Sequence, residues 1–494
     1  MRASATSGTA KVAPDPSLVP EAVIEVLRTL RSRGKQAFLA GGAVRDLLRL
    51  ARFAAGAVVR GEPRPALPDD FDVATDALPE EVQRAFARVV PTGIAHGTVT
   101  VLARDAGGEH KIEVTTFRGE GAYDDGRRPS SVTFLGDIEG DLARRDFTVN
   151  AMAWDPLQPG VTGLRDPFGG AEDLSRRVLR AVGDPLLRFG EDGLRALRAV
   201  RLACTLRLAL EPRTARAIAQ SLDTFSRVAQ ERVRDELCKL LVRGAPPSRG
   251  LRLLLRTGLL SRIAPELLES VGFAQNSFHA WDVWRHTLRC VDESPPELGL
   301  RLAALLHDVA KPRTAAPSQH RPGDLSFFKH EFVGEDLTRT MLERLRLPHR
   351  EIDRVALLVR EHNWHYLPEW TDATCRRIIA RVGVENLPAL YQLRRADLLA
   401  RGRFVEEGLL NLDLLQQRFG LLLSQSAALR LKDLALGGTE LMRALKIPAG
   451  PVLGRLLAHL LDQVLDDPSL NTRESLLRLA SEALPILSTG NSHR

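Results

Sequence analysis

The chain has 494 residues, of which 44% are hydrophobic and 27% charged, with a formal net charge of +7 and a pI near 9.5. That length exceeds a single core and predicts two to four domains of ordinary globular composition. No apolar run approaches the ~20 residues that cross a bilayer. The four cysteines fall singly, without CxxC spacing, and the first 18 residues lack the apolar stretch of a secretory signal. These features argue against a membrane protein, a thiolate zinc site and a disulfide scaffold, and make the cytoplasm the expected compartment. The basic balance suits a polyanionic partner such as RNA, but many basic proteins bind none.

Residues 1–17 read as a disordered leader. Residues 17–33 carry Val23, Ile24, Val26, Leu27 and Leu30 at helical spacing. A short strand at 37–40 then meets a Gly-Gly turn and a helix from Ala43. Residues 52–68, rich in Ala, Gly and Pro, read as an inserted loop. Over 71–117 the pattern is strand, helix, strand, strand, with β-branched residues concentrated at 99–102 and 111–116. From about Leu174 to Leu487 the periodicity is almost entirely helical, with loops near 294–299 and 315–324. There is no repeat of fixed period and no low-complexity tract.

Asp70 and Asp72 flank Phe71. In a strand, residues two apart share a face, so both carboxylates converge on one point. They repel unless a divalent cation lies between them, and oxygen ligands of this kind suit Mg²⁺. Nucleotidyl transfer uses such a site, one metal activating a 3′-hydroxyl and another holding the triphosphate. Glu113, on a later strand, is the best-placed third carboxylate, whereas Asp69 faces away. Upstream, Gly41 and Gly42 precede Arg45 and Asp46 where a strand turns into a helix. Glycines there let the backbone approach phosphate, and the helix start supplies free amides. A lone DxD is common in solvated turns and a lone GG is weaker still; the ordered combination is specific.

Gly41-Gly42-Ala43-Val44-Arg45-Asp46 with Asp70-Phe71-Asp72-Val73-Ala74-Thr75 resembles the first motif of class II tRNA nucleotidyltransferases and poly(A) polymerases, members of the polymerase β superfamily. Arg144-Arg145-Asp146-Phe147-Thr148-Val149-Asn150-Ala151 resembles their second motif, which implies ribose recognition by Arg145, Asp146 and Asn150. Glu191-Asp192-Gly193-Leu194-Arg195 resembles their EDxxR motif. The resemblance runs from about Phe38 to the C-terminus, with the long loop between Arg49 and Pro68 as a departure that is harmless on a surface.

A continuous helix over 186–210 puts Asp192 and Arg195, three apart, on one face. A fixed carboxylate and guanidinium can mimic the edge of a complementary base, and the resemblance implies that this pair accepts C or A and rejects G and U. By pattern alone the two make an i,i+3 surface salt bridge worth a few tenths of a kcal/mol. Arg198 and Arg201 continue the basic face toward a triphosphate or the tRNA acceptor end, although Arg201 also reads as a solvated residue. Residues 123–129 match the family's flexible loop, in which Arg127 and Arg128 meet either phosphate or solvent.

A second constellation begins at His307-Asp308, at the end of an apolar run. Burying that pair is costly unless both are satisfied, and a metal is one solution. His286 lies upstream in a Trp-rich helical segment; His330, His362 and Asp397 lie downstream. The order resembles HD phosphohydrolases, which implies His286, His307, Asp308 and Asp397 as core metal ligands. It also implies that His330 and His362 occupy the extra positions of two-metal or phosphate-binding versions. His279, His349 and His365 fit neither motif and read as surface or packing residues. Residues 431–454 resemble the tRNA-gripping tail of HD-containing CCA-adding enzymes, and by pattern alone they form a helical bundle with leucines in its core.

The expected fold class is α+β: a small polymerase β-type head with a mixed sheet and helices, followed by an all-α neck, HD and tail region. The expected boundaries are 18–173 for the head, 174–270 for the neck with EDxxR, 271–405 for the HD domain and 406–494 for an RNA-binding tail. The resemblance implies addition of CCA to tRNA from CTP and ATP with Mg²⁺. It further implies a divalent metal of unspecified identity at the HD site and no obligate protein partner. Poly(A), A-adding and CC-adding enzymes share the same motifs. A reading of another class is an HD phosphohydrolase whose transferase half is an inactive RNA-binding module.

Overall fold

A computed structural model describes residues 12–57, 63–120, 132–158, 160–364, 366–367, 369–425 and 429–489. Most of the leader, residues 58–62 of the insertion, the loop 123–129 with Arg127 and Arg128, and His365 lie outside the described residues. The chain folds as two compact units, Met1–Ile263 and Ala264–Arg494.

The first unit is built on a seven-stranded sheet. Its strands are β1 (Ala37–Ala40), β2 (Asp72–Thr75), β3 (Val89–Gly93), β4 (Thr98–Asp105) and β5 (Gly108–Thr116). A separate antiparallel pair, β6 (Arg118–Glu120) and β7 (Val132–Phe134), follows, and β8 (Ala153–Trp154) and β9 (Leu164–Arg165) complete the large sheet in the order β3-β4-β5-β2-β1-β8-β9. Within the large sheet, among the described residues, β2 and β5 run parallel and the other pairs are antiparallel, so the sheet is mixed as expected. All four residues of β1 are buried, which is why this central strand reads as an unbroken apolar run. Phe38, Ala74, Phe117, Ile138 and Leu142 pack into one core cluster of the head.

Several boundaries differ from those expected. The leader ends in an ordered 3-10 turn, Pro16–Leu18, whose Ser17 amide is capped by the Asp15 carboxylate. The first helix is Glu21–Ser32, because Pro20 fits the position before a helix but not its interior. The helix after the Gly-Gly turn runs through Gly42–Ala54, into what read as insertion. β3 lacks the clean alternation that betrays a strand and was not expected.

Helical structure dominates from Gly170, but the expected continuous helix over 186–210 is broken. It divides into Pro185–Glu191 and Leu194–Thr205, with Asp192 extended between them. Gly193 sits so close to the backbone of Thr224 and Phe225 that a Cβ there would lie 2.7 Å from the Thr224 carbonyl oxygen.

The second unit is helical. Val283–Glu293, Leu298–Leu306, His330–Arg344, His349–Glu361 and Leu387–Arg401 bring the second constellation together. Gly438–Leu445, Pro451–Asp466 and Arg473–Thr489 bury Leu441, Leu456, Leu460 and Leu476 in a core of their own. Of the leucines expected in the tail core, Leu434, Leu436 and Leu441 are buried and Leu431 is exposed. Among the described residues no helix is long and apolar enough to cross a membrane.

Candidate active sites in the two units

β2 carries the first site. Its ladder with β1 ends at Ala40–Asp72, because Gly41 turns the chain into the helix and leaves no partner beyond. Asp72 is therefore the first strand residue, and Asp70, expected on the same strand face, lies outside it and is exposed. Asp72 faces Glu113 in register across the parallel β2–β5 pair. Burial, reinforced by the charges of Glu113 and Asp70, pushes the Asp72 carboxyl up to about 6. The three carboxylates are not gathered within 4.8 Å of one another as the second unit's ligand groups are. All three still line one cavity of about 660 Å³. A raised carboxyl beside two others is the electrostatic condition that a divalent cation relieves. Asp69 is exposed and pairs with Arg243 at 3.7 Å.

Gly41 adopts φ +76°, a conformation that favours glycine, and a Cβ there would lie 2.6 Å from a terminal nitrogen of Arg145. Arg45 pairs with Asp46 at 2.6 Å and donates to the Asn150 side-chain Oδ1 at 2.6 Å. Asn150 in turn donates to Asp146 at 3.2 Å, and Arg198 closes on Asp146 at 2.8 Å. Burial opposes ionisation of Asp146, but Arg198 and the Asn150 hydrogen bond outweigh it and hold its carboxyl below the usual range. Arg145 pairs with Asp141 at 3.1 Å. The two motifs thus form one bonded network along the cavity wall, with Gly42 at the start of the helix.

Asp192 and Arg195 line the same cavity, but not as a salt bridge with each other. Asp192 caps the Leu194 amide at 3.0 Å and accepts both terminal nitrogens of Arg232, at 2.7 and 3.2 Å. Arg195 pairs with Glu191 at 2.5 Å and donates to the Arg188 carbonyl at 3.3 Å. Arg201 is no solvated face residue: it pairs with buried Glu236 at 2.5 Å.

The second site lies wholly in the second unit. His286 and Asp397 approach to 3.1 Å, and His307 and Asp308 to 3.2 Å. His330 and His362 lie 3.6 and 3.7 Å from the other Asp308 oxygen, so Asp308 joins two groups of potential metal ligands. The Nδ1 atoms of His307, His330 and His362 each bond a backbone carbonyl, at 2.9, 2.7 and 2.6 Å, turning their Nε2 atoms inward. Burial lowers His286 and His362, and brings His330 down to about 4, which keeps them neutral as ligands must be. For Asp308, burial is outweighed by His307 and Lys311, so it stays ionised.

His279, expected in a surface or packing role, lies against the cluster. Its ring packs edge-on to His286, its Nε2 is buried without a hydrogen-bond partner, and it forms a third ligand group with His286 and Asp397. Burial, with Lys311 nearby, depresses it to about 2. An orphaned buried imidazole nitrogen beside the Asp397 carboxylate and the neutral His286 fits a divalent metal. His307 is instead raised, its burial outweighed by Asp308. His349, by contrast, starts its helix exposed, as expected. Sequence reasoning also missed Lys311, 2.8 Å from Asp308, and Arg394, 2.6 Å from Asp397. Their i,i+3 spacing to those aspartates was a usable signal. For Arg232, 40 residues from Asp192, there was none.

The mixed sheet with its carboxylate-lined cavity and the helical His–Asp cluster define a nucleotidyltransferase head combined with an HD-type domain, both classes that work with divalent metal ions. Residues 37–180 match the poly A polymerase head domain, 207–270 the probable RNA and SrmB-binding site of polymerase A, and 277–402 the HD domain. A CCA-adding enzyme of Geobacillus sp. (strain WCH70) is 32% identical over 432 residues, 87% of this chain and 89% of that protein. The A-adding tRNA nucleotidyltransferase of Deinococcus radiodurans is 41% identical over 342 residues, 66% of this chain and 74% of that protein. The Bacillus stearothermophilus CCA-adding enzyme, solved in complex with CTP, superposes with a TM-score of 0.68 at 27% identity, covering 95% of this chain and 98% of that one. With other curated CCA-adding relatives the match spans about half their length, 48% and 55%. The chain belongs to the family of CCA-adding and A-adding tRNA nucleotidyltransferases.

Proposed function

We propose that the chain adds CCA to the 3′ end of tRNA from CTP and ATP without a nucleic-acid template. The observation that carries this reading is the separate clamping of Asp192 and Arg195 beside Asp72 and Glu113 in one cavity. The Arg232 and Glu191 pairs hold the two side chains each in one direction, as a protein surrogate for a templating base requires. Asp70, Asp72 and Glu113 are the proposed metal ligands. Mg²⁺ bound there would activate the primer hydroxyl and neutralise the triphosphate. Arg145 and Arg198 border the space for phosphates, and the Gly41-Gly42 turn keeps side chains out of it. Catalysis then rests on positioning and charge complementarity, with no covalent intermediate. The helical tail is the proposed grip on tRNA.

In the second unit, His286, His307, Asp308 and Asp397, with His330, His362 and His279, are the proposed ligands of a divalent metal site that hydrolyses phosphoesters. A second reading of the transferase, addition of the terminal A alone, is favoured by the likeness to the A-adding Deinococcus protein.

The test is incubation of the full chain with Mg²⁺ and tRNA lacking its 3′ end, supplying CTP, ATP or both. Two C followed by one A supports CCA addition. Incorporation only of A, and only onto a CC end, moves the protein to the A-adding branch. No incorporation overturns both and leaves the phosphohydrolase. Unchanged incorporation by an Asp70→Ala/Asp72→Ala variant would remove the metal assignment.

A further inference from the structure

The cavity beside the His–Asp cluster adjoins a second one of about 490 Å³, and Phe278, Arg394 and Arg401 line both. The volume lies within the range of small-molecule sites, roughly 300–1,000 Å³. Its walls differ from those of the metal cluster. Phe278, Trp364, Tyr366 and Phe404 supply aromatic surface. Phe278 and Phe404 remain 37% and 59% exposed, with ring centroids 6.0 Å apart. Neighbouring open aromatic rings are a surface that a flat partner covers favourably.

Two further features narrow the partner. Trp364 is 7% exposed and packed edge-on against Tyr391 and Phe419, yet its Nε1–H has no acceptor. A buried donor without a partner costs about 1–3 kcal/mol, which an incoming acceptor recovers. The charge is mainly positive, four arginines against the carboxylate of Glu407 among the lining residues. Arg321 lies 4.3 Å over the Phe278 ring, and Arg403 stands on the rim. Arg394 and Arg401 bridge to the metal cluster, reaching the same Asp397 oxygen at 2.6 and 3.4 Å. Stacking faces, an indole donor and guanidinium groups leading to a metal site describe a nucleobase carried on a phosphoester.

We infer that this second cavity is a base-binding annex of the HD site. It holds the nucleobase of a nucleoside phosphate whose phosphoester reaches the His–Asp cluster past Arg394 and Arg401. The placement of the phosphate rests on the phosphohydrolase reading; the binding of the base does not. The nucleoside phosphate is either a free mononucleotide or the terminal nucleotide of an RNA bearing a 3′-phosphate.

The test uses the full chain with Mn²⁺ and measures equilibrium binding of adenosine 3′-phosphate, of a short RNA ending in a 3′-phosphate, and of ribose 5-phosphate. Hydrolysis of the same compounds is followed in parallel. Phe404→Ala removes an exposed stacking face, and Trp364→Phe keeps a ring but deletes the donor. The expected result is a loss of affinity for the adenosine phosphate or the RNA of about ten-fold in Phe404→Ala and about five-fold in Trp364→Phe, with ribose 5-phosphate bound as before. Weakening of the mononucleotide identifies the free nucleotide as ligand, and weakening of the RNA alone identifies the RNA end. Unchanged affinity in Phe404→Ala, equal weakening of ribose 5-phosphate, or no binding of either base-bearing probe overturns the annex. If nothing is hydrolysed but Phe404→Ala still loses affinity, the phosphohydrolase reading falls and the annex stands. If hydrolysis proceeds and Phe404→Ala changes neither affinity nor kcat/KM, the annex falls alone.

Discussion

Arg232 grips Asp192 with both terminal nitrogens, at 2.7 and 3.2 Å, across 40 residues of chain. Asp192 lies in the break between two helices and caps the second, so a distant guanidinium as well as its own helix fixes its direction. Arg232 is therefore a positioning residue for nucleotide choice. An Arg232→Ala variant should blur selection of C and A over G and U by about ten-fold, the worth of a charge-assisted hydrogen bond of ~1.5 kcal/mol. Comparing kcat/KM for the four nucleotides checks this. Loss of rate with selectivity intact would mean that Arg232 supports only the fold.

The motif residues and their order were legible because each lies in a short local segment, and β1 was legible because it is fully buried. Geometry was less so. The i,i+3 reading of Asp192 and Arg195 rests on one helix, and the extended backbone of Asp192, φ −144° and ψ 106°, interrupts it. Asp70 falls short of the strand because β1 offers β2 no partner beyond Ala40 to extend it. His279 matches neither motif, and the placing of its ring beside His286 and Asp397 is one that local sequence does not specify.

Asp72 links metal binding to pH. Its carboxyl stands at about 6 against an ordinary 3.8, so the folded protein holds this proton more tightly than the unfolded chain. That contribution to stability is complete below about 4 and is lost as pH rises through about 6. The shift corresponds to at most about 3 kcal/mol, reduced by solvent around Asp70 and Glu113. A divalent cation competes with the proton and offsets the repulsion that appears when it leaves. The rise in Tm on adding Mg²⁺ should thus be larger at pH 7.5 than at pH 5. Equal rises at both would place the cation elsewhere.

Arg201 and Glu236 form a buried pair at 2.5 Å, with side chains 15% and 8% exposed. Arg201→Met strands a buried carboxylate and should cost about 3–5 kcal/mol in a denaturation measurement. Arg201→Met with Glu236→Leu removes both charges and should recover most of that loss. If the double variant is as unstable as the single one, packing rather than the stranded charge is responsible.

Gly41 and Gly34 separate backbone strain from encroachment on the site. Both have φ near +77°. A Cβ at Gly41 would lie 2.6 Å from Arg145, whereas one at Gly34 meets nothing within 4 Å. Ala at either position should cost about 1–3 kcal/mol of stability through the backbone. Only Gly41→Ala also displaces the Arg145 guanidinium from the cavity wall. It should therefore lower nucleotide incorporation at least about ten-fold, the usual scale for a site group misplaced by about 1 Å, while Gly34→Ala incorporates normally at a temperature where both are folded. Parallel losses of incorporation in the two variants would assign the effect to stability and remove Arg145 from the phosphate-binding wall.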